Sequence, residues 1–136
     1  MSETIRARSE IPAKYKWNAA SVFPSDEAWD EAADALLEKL EDVKKLEGQV
    51  SKSATHLADA LDLNFSLQED TGKIAVYAVI AQAVDNADTN AARMYGKMQG
   101  LFGQVFAALS FIDPEILQIE AKKLAKWRKE EPRLKI

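Results

Sequence analysis

Hydrophobic positions recur along this chain with a helical period. Trp29, Ala33, Leu36, Leu40 and Val43 follow one another at steps of four, three, four and three. One helical turn takes about 3.6 residues, so these side chains share one stripe. Glu27, Glu31, Asp34, Glu38 and Glu41 track the other side and read as a solvated face. Ser25 is a good N-cap, Asp26 and Glu27 suit the positive end of the helix dipole, and Gly48 is the expected left-handed stop. The pattern predicts a first helix over Asp26–Glu47.

Ser51 or Ser53 caps a second helix, expected from Ala54 to about Val84. Leu57, Leu61 and Phe65 step by four. The run Ile74 to Ala81 is apolar all round and has the composition of a buried strand or a buried helix. Its alanines and its length favour a central helix. Gly72 lies inside it and predicts a bend or a close helix crossing.

A polar connection at 85–90 leads to a third helix, capped by Asp88 or Thr89 and expected to reach about Ile112. Its apolar stripe is Ala91, Met94, Met98, Leu101, Val105, Leu109 and Ile112. A second stripe holds only small residues: Ala92, Gly96, Gly100, Gly103 and Ala107. Three helical glycines carry a propensity cost, so their alignment predicts a neighbouring backbone lying close. Met94, Met98, Phe102 and Phe106 read as core rather than as a ligand groove. Asp113 is the expected N-cap of a short helix through Leu117, with Pro114 in its first turn. A last helix is expected over Glu120–Lys129, limited by Pro132.

Residues 1–24 read as an irregular arm, since Pro12 and Pro24 interrupt helix. Tyr15, Trp17, Val22 and Phe23 predict that this arm packs onto the body. The fold class is therefore all-α: three long antiparallel helices, an N-terminal arm over 1–24, and short C-terminal helices completing a helical domain over 25–136.

A chain of 136 residues, 47% hydrophobic and 29% charged, makes one domain that needs no metal or disulfide to fold. It has no cysteine and one histidine. That excludes thiol catalysis, cysteine-ligated metals and any site needing two imidazoles. His56 reads as a surface residue in a first helical turn. No serine sits in Gly-x-Ser-x-Gly, and neither Gly-x-Gly-x-x-Gly nor a Walker loop occurs. No catalytic, cofactor-binding or metal-ligating residue is assigned to the chain.

The net charge is −4, which disfavours nucleic-acid binding. Residues 26–47 carry nine acids against three bases, and residues 121–136 seven bases against two acids. The basic end, with Trp127, reads as a solvated helix end with Leu124 and Trp127 packed on the body, not as a membrane surface. The run Ile74–Val84 is too short to span a bilayer, so no membrane is expected as partner. The polar N-terminus and the lack of cysteine point to the cytoplasm.

The arm carries a phrase, Ile11-Pro12-Ala13-Lys14-Tyr15-Lys16-Trp17-Asn18, then Val22-Phe23-Pro24-Ser25-Asp26-Glu27-Ala28-Trp29. Further on come Tyr77 with its apolar run, Asp88-Thr89, and Ala107-Ala108-Leu109-Ser110-Phe111 with Asp113-Pro114-Glu115-Ile116-Leu117. In this order the phrases resemble the N-terminal region of oligoendopeptidase F, a zinc metallopeptidase family with a thimet-oligopeptidase-like clamshell. The resemblance implies a mostly helical enzyme folded around a peptide channel. Its catalytic lobe, with His-Glu-x-x-His and a downstream glutamate, lies later in the chain. Neither is present here, so no catalytic residue carries over. Gly72, Gly96, Gly100 and Gly103 depart from the family by being glycine-rich.

On this reading the chain is a non-catalytic domain walling the channel of an enzyme that hydrolyses short peptides. Zinc belongs to the parent, and the chain alone is expected to be inactive. Its partners are the remaining polypeptide and, in the full enzyme, peptide substrates. The fragment reading also expects Leu134, Ile136 and one face of Ile116, Leu117 and Ile119 to be uncovered, with homodimerisation hiding them. The residues leave a second reading open: a stand-alone helical interaction or dimerisation module.

Overall fold

The computed structural model describes Arg6 and residues 8–135, and every regular element among them is helical. The α-helices are α1 (Asp26–Lys44), α2 (Ala54–Val84), α3 (Thr89–Leu109), α4 (Ile112–Leu117) and α5 (Ala121–Glu130). Single 3-10 turns occupy Arg8–Glu10, Ala13–Tyr15, Ala19–Ser21 and Pro132–Leu134.

Side-chain caps decide where the long helices begin. The Ser25 hydroxyl accepts from the Ala28 N–H and the Ser53 hydroxyl from the His56 N–H, each at 3.2 Å. The Asp88 carboxylate accepts from the N–H groups of Asn90 and Ala91. Each removes orphan donors from a first turn. α1 stops at Lys44, short of the expected Glu47, because the Leu46 N–H turns back to the Val43 carbonyl in a tighter turn. The reversal is completed at Gly48, whose φ of +74° is costly for any residue with a Cβ. The apolar run Ile74–Ala81 is helix throughout.

The α1 stripe is buried to the last residue. Trp29 anchors it: the side chain is fully buried, and its Nε1–H donates to the Ile74 carbonyl of α2 at 2.9 Å. Along α1, Asp26, Trp29 and Lys39 meet Tyr77, Ile74 and Asp70 in turn. On α3 the order runs the other way, with Asp30 on Arg93 and Asp34 on Lys97. A second, smaller cluster joins Val50, Leu57, Ala60, Ile119, Trp127 and Leu134. Glu115 of α4 links the two regions, its carboxylate accepting the N–H groups of Gly48 and Val50. Glu115→Ala leaves the part-buried Val50 N–H without that acceptor. It is expected to cost about 1–2 kcal/mol, read from the midpoint of urea unfolding.

Several expectations are corrected. Ala92, Gly96, Gly100, Gly103 and Ala107 face solvent, not a neighbouring backbone. A Cβ built on Gly72, Gly96, Gly100 or Gly103 meets nothing within 4 Å. The reason is that α1 and α2 both pack on the Met94–Met98–Leu101–Val105 side of α3, leaving the opposite side bare. Gly96→Ala, Gly100→Ala and Gly103→Ala should therefore each stabilise the chain by about 0.5–1 kcal/mol, since only helix propensity changes. A thermal melt of each variant checks this, and a lowered Tm would mean that the stripe is covered.

Asp113 is not an N-cap. The Glu115 N–H bonds to the Phe111 carbonyl, so α4 begins at Ile112 and Asp113 lies within its first turn. Phe106, expected in the core, is 68% exposed, and Tyr15 of the arm is 72% exposed. Trp17, Val22 and Phe23 do pack on the body, where Trp17 and Phe23 meet the Tyr77 ring edge-on. Leu134, expected to be uncovered, is buried: the turn begun at Pro132 folds it onto α2, and Arg133 holds the turn by pairing with Asp59 and Asp62 at 2.8 Å each. Ile119 is buried too, Ile116 is half-buried, and Leu117 alone stays exposed. Ile136 lies outside the described residues.

Candidate functional site

The most organised polar array is a seam between α1 and α3, built on helical spacings of four and four on α1 and three and four on α3. Asp26, Asp30 and Asp34 rise along one edge of α1; Asn90, Arg93 and Lys97 rise along the facing edge of α3. Asp26 accepts from the Tyr77 hydroxyl at 2.8 Å and from the Asn90 amide at 2.7 Å. Asp30 takes both arms of the Arg93 guanidinium, at 2.9 and 2.7 Å. Lys97 bridges Asp30 and Asp34 at 2.9 and 2.8 Å. Asp34, read as solvated, is thus a seam residue that keeps an exposed flank.

The seam shifts its members' ionisation. The hydrogen bonds from Arg93 outweigh the opposing effect of burial and, with Lys97, hold Asp30 down at about 2. Burial, reinforced by the hydrogen bond to Asp26, pushes the Tyr77 hydroxyl up to about 12. Burial by itself lowers Lys97, but its bonds to Asp34 and Asp30 raise it overall. A depressed carboxyl stabilises the fold above its unfolded value and loses that effect as pH falls through its folded value. The Asp30 contribution is expected to fade between about pH 4 and pH 2, and to be about 1 kcal/mol after allowing for solvent screening. Urea titrations at both pH values check this, and Arg93→Gln should flatten the difference. The array is a clasp. Its amine, its phenol and its carboxylates are all engaged with one another.

The remaining candidates fall into place around it. His56 sits on the surface of the first turn of α2, its Nδ1 2.7 Å from the Ser53 hydroxyl. Among the described residues no group of three His, Asp or Glu side chains lies close enough to hold a metal ion. These residues do not fit a zinc site. At the basic end Trp127 is buried and Leu124 half-buried, with the Lys123 Nζ 4.7 Å above the indole. Arg133 is shifted further upward, first by its hydrogen bond to Glu131 and then by those to Asp59 and Asp62.

Open grooves mark the surface. One of about 660 Å³ runs between the ends of α1 and α3, past Leu40, Lys44, Gln104 and Phe111. One of about 470 Å³ runs between α2 and α3, past Gln68, Gly72, Phe102 and Phe106. The stretch Thr89–Leu117 contains an 18-residue window of mean hydropathy 1.3 and is long and apolar enough to cross a membrane by length and composition alone. It is distinct from the apolar run Ile74–Val84 of α2. It breaks at Ser110 between α3 and α4, and its Arg93 and Lys97 are tied to α1.

Known proteins supply what the site does not. Over 129 residues, 95% of this chain, the sequence is 33% identical to Oligopeptidase PepF of Bacillus subtilis (strain 168), of which it covers 19%. Over 127 residues it is 26% identical to Group B oligopeptidase PepB of Streptococcus agalactiae, covering 93% of this chain and 21% of that protein. The fold matches the crystal structure of oligoendopeptidase-F from Enterococcus faecium with a TM-score of 0.75 at 31% identity, over 81% of this chain and 22% of that one.

The chain is a homologue of oligoendopeptidase F.

It spans about a fifth of the length of its oligoendopeptidase F relatives. No family model matches it. The seam is the feature that reading the sequence of this oligoendopeptidase F homologue missed. Its signal was there, as acids on one edge of α1 and bases on one edge of α3, both four residues apart.

Proposed function

We propose that the chain is the N-terminal, non-catalytic helical domain of an oligoendopeptidase F-like zinc metallopeptidase. Its role is to wall one side of the channel in which short peptides are hydrolysed. The carrying observation is that likeness to a 31% identical oligoendopeptidase-F structure extends over 81% of this chain but only 22% of that protein. The arm over 1–24 and the helical body over 25–136 form one unit on this reading. The order of side-chain partners between helices supports an up-down-up arrangement, with α2 antiparallel to both α1 and α3. Zinc and its activated water belong to the catalytic lobe, which is the domain's main partner, and the whole enzyme works in the cytoplasm.

A wall needs stiffness rather than reactivity, and the α1–α3 clasp provides it. The isolated chain, given zinc and a short fluorogenic peptide, is expected to release no product and to bind zinc more weakly than micromolar. Hydrolysis that co-purifies with the chain and is abolished by a chelator would overturn the non-catalytic assignment. A second reading, a helical interaction module, is favoured by one observation: the bare face of α2 and α3.

A further inference from the structure

The α1–α3 clasp leaves one charge unbalanced. Asp30 and Asp34 are paired with bases, whereas the partners of Asp26 are the Tyr77 hydroxyl and the Asn90 amide, both neutral. Asp26 is half-buried and lines a pocket of about 260 Å³ between the arm and the turn that joins α2 to α3. Asp85 and Asp88 line it too. Each uses one carboxylate oxygen on backbone N–H groups, Asp85 on Ala87 and Asp88 on Asn90 and Ala91. Among the described residues none of these three acids has an ion pair, and neither has Arg8, the exposed base that shares the lining.

The rest of the wall is aromatic and apolar. The Trp17 and Tyr77 rings stand 62° to one another with centroids 6.0 Å apart, and Ile80, Val84 and Met94 line the same space. Three carboxylates against one guanidinium give the pocket a negative field, which low-dielectric walls concentrate. A bare metal ion does not suit it, because no three acids among the described residues lie close enough to hold one. An organic cation does. Its charged nitrogen gains from carboxylates and aromatic rings together, and its hydrocarbon body gains from the apolar wall. The pocket is smaller than the space a drug-sized ligand takes, so the body is no larger than one side chain.

We propose that this pocket binds a small primary ammonium carried on an apolar body, the chemistry shared by a free amine and by the amino end of a peptide. Arg8 competes with the ligand for the same carboxylates. The site needs only the pocket and does not depend on the channel-wall reading.

Titration of the 136-residue chain with 2-phenylethylammonium, followed by the indole N–H resonances, is the test. The chain has three tryptophans, so Trp29 and Trp127 serve as internal references. A saturable shift confined to Trp17 is expected, and salt should weaken the binding. Uncharged 2-phenylethanol should bind about tenfold more weakly. Asp85→Asn combined with Asp88→Asn removes two charges while asparagine keeps the caps, and should weaken the ammonium by about tenfold. Arg8→Gln, an exposed substitution that leaves the helices intact, should strengthen it. Phenylalanine amide separates the two sources: binding tighter than the amine assigns the pocket to peptide amino ends, and weaker binding to free amines. The absence of a saturable Trp17 shift overturns the proposal. Equal binding of 2-phenylethanol, displacement of the amine by magnesium, or weaker binding to Arg8→Gln overturns it as well, the last by assigning the pocket to an anionic group.

Discussion

Trp29→Ala is expected to destabilise the chain by about 3–5 kcal/mol, the range for truncating a buried tryptophan. Two losses add. The indole is wholly enclosed among the residues of α1, α2 and α3, so its removal leaves a cavity at the crossing of the long helices. Its Nε1–H also satisfies the Ile74 carbonyl from a helix 45 residues away. Trp29→Phe keeps most of the packing and gives up that bond, so it should cost less. Natural domains hold only about 5–15 kcal/mol in total. The alanine variant should thus populate unfolded chain at moderate temperature, visible as a loss of cooperative melting. A cost below about 1 kcal/mol would mean that α1 is not docked on α2 through this residue.

Trp127→Ala is expected to cost a comparable amount but in a different place. Trp127 belongs to the second cluster, together with Ile119, Leu134, Leu57 and Ala60. The seam and the Trp29 core lie outside that cluster. Amide exchange should therefore accelerate most in α5 and at residues 132–134, while α1 and the middle of α2 keep their protection. Uniform acceleration across all helices would show that the two clusters unfold as one.

What the sequence revealed and what it concealed divide along physical lines. Apolar periodicity marked α1 because every member of its stripe is buried, so burial and pattern coincide. Caps were legible for the same reason: Ser25, Ser53 and Asp88 act on neighbours three residues away or fewer, within the reach of local chemistry. The glycine stripe of α3 misled because sequence shows which residues share a face but not what lies opposite. Leu134 misled differently. Its cover comes from a turn begun by Pro132 and held by two aspartates more than seventy residues earlier, and such long-range pairs leave no local mark. The Asp26–Asn90 and Asp30–Arg93 contacts are of the same kind. No catalytic site was assigned to this chain. The resemblance to oligoendopeptidase F came from the arm and the order of later phrases, and comparison with known proteins bore it out.

The proposed role is that of a channel wall in a peptidase whose chemistry resides elsewhere. A chimera tests it directly: the matched fifth of Bacillus subtilis Oligopeptidase PepF is replaced by this chain, and hydrolysis is measured on a short peptide and on a folded protein containing the same bond. The account predicts a chimera that folds, cleaves the short peptide and leaves the folded protein intact. A folded chimera that cuts both equally, or neither, would contradict it.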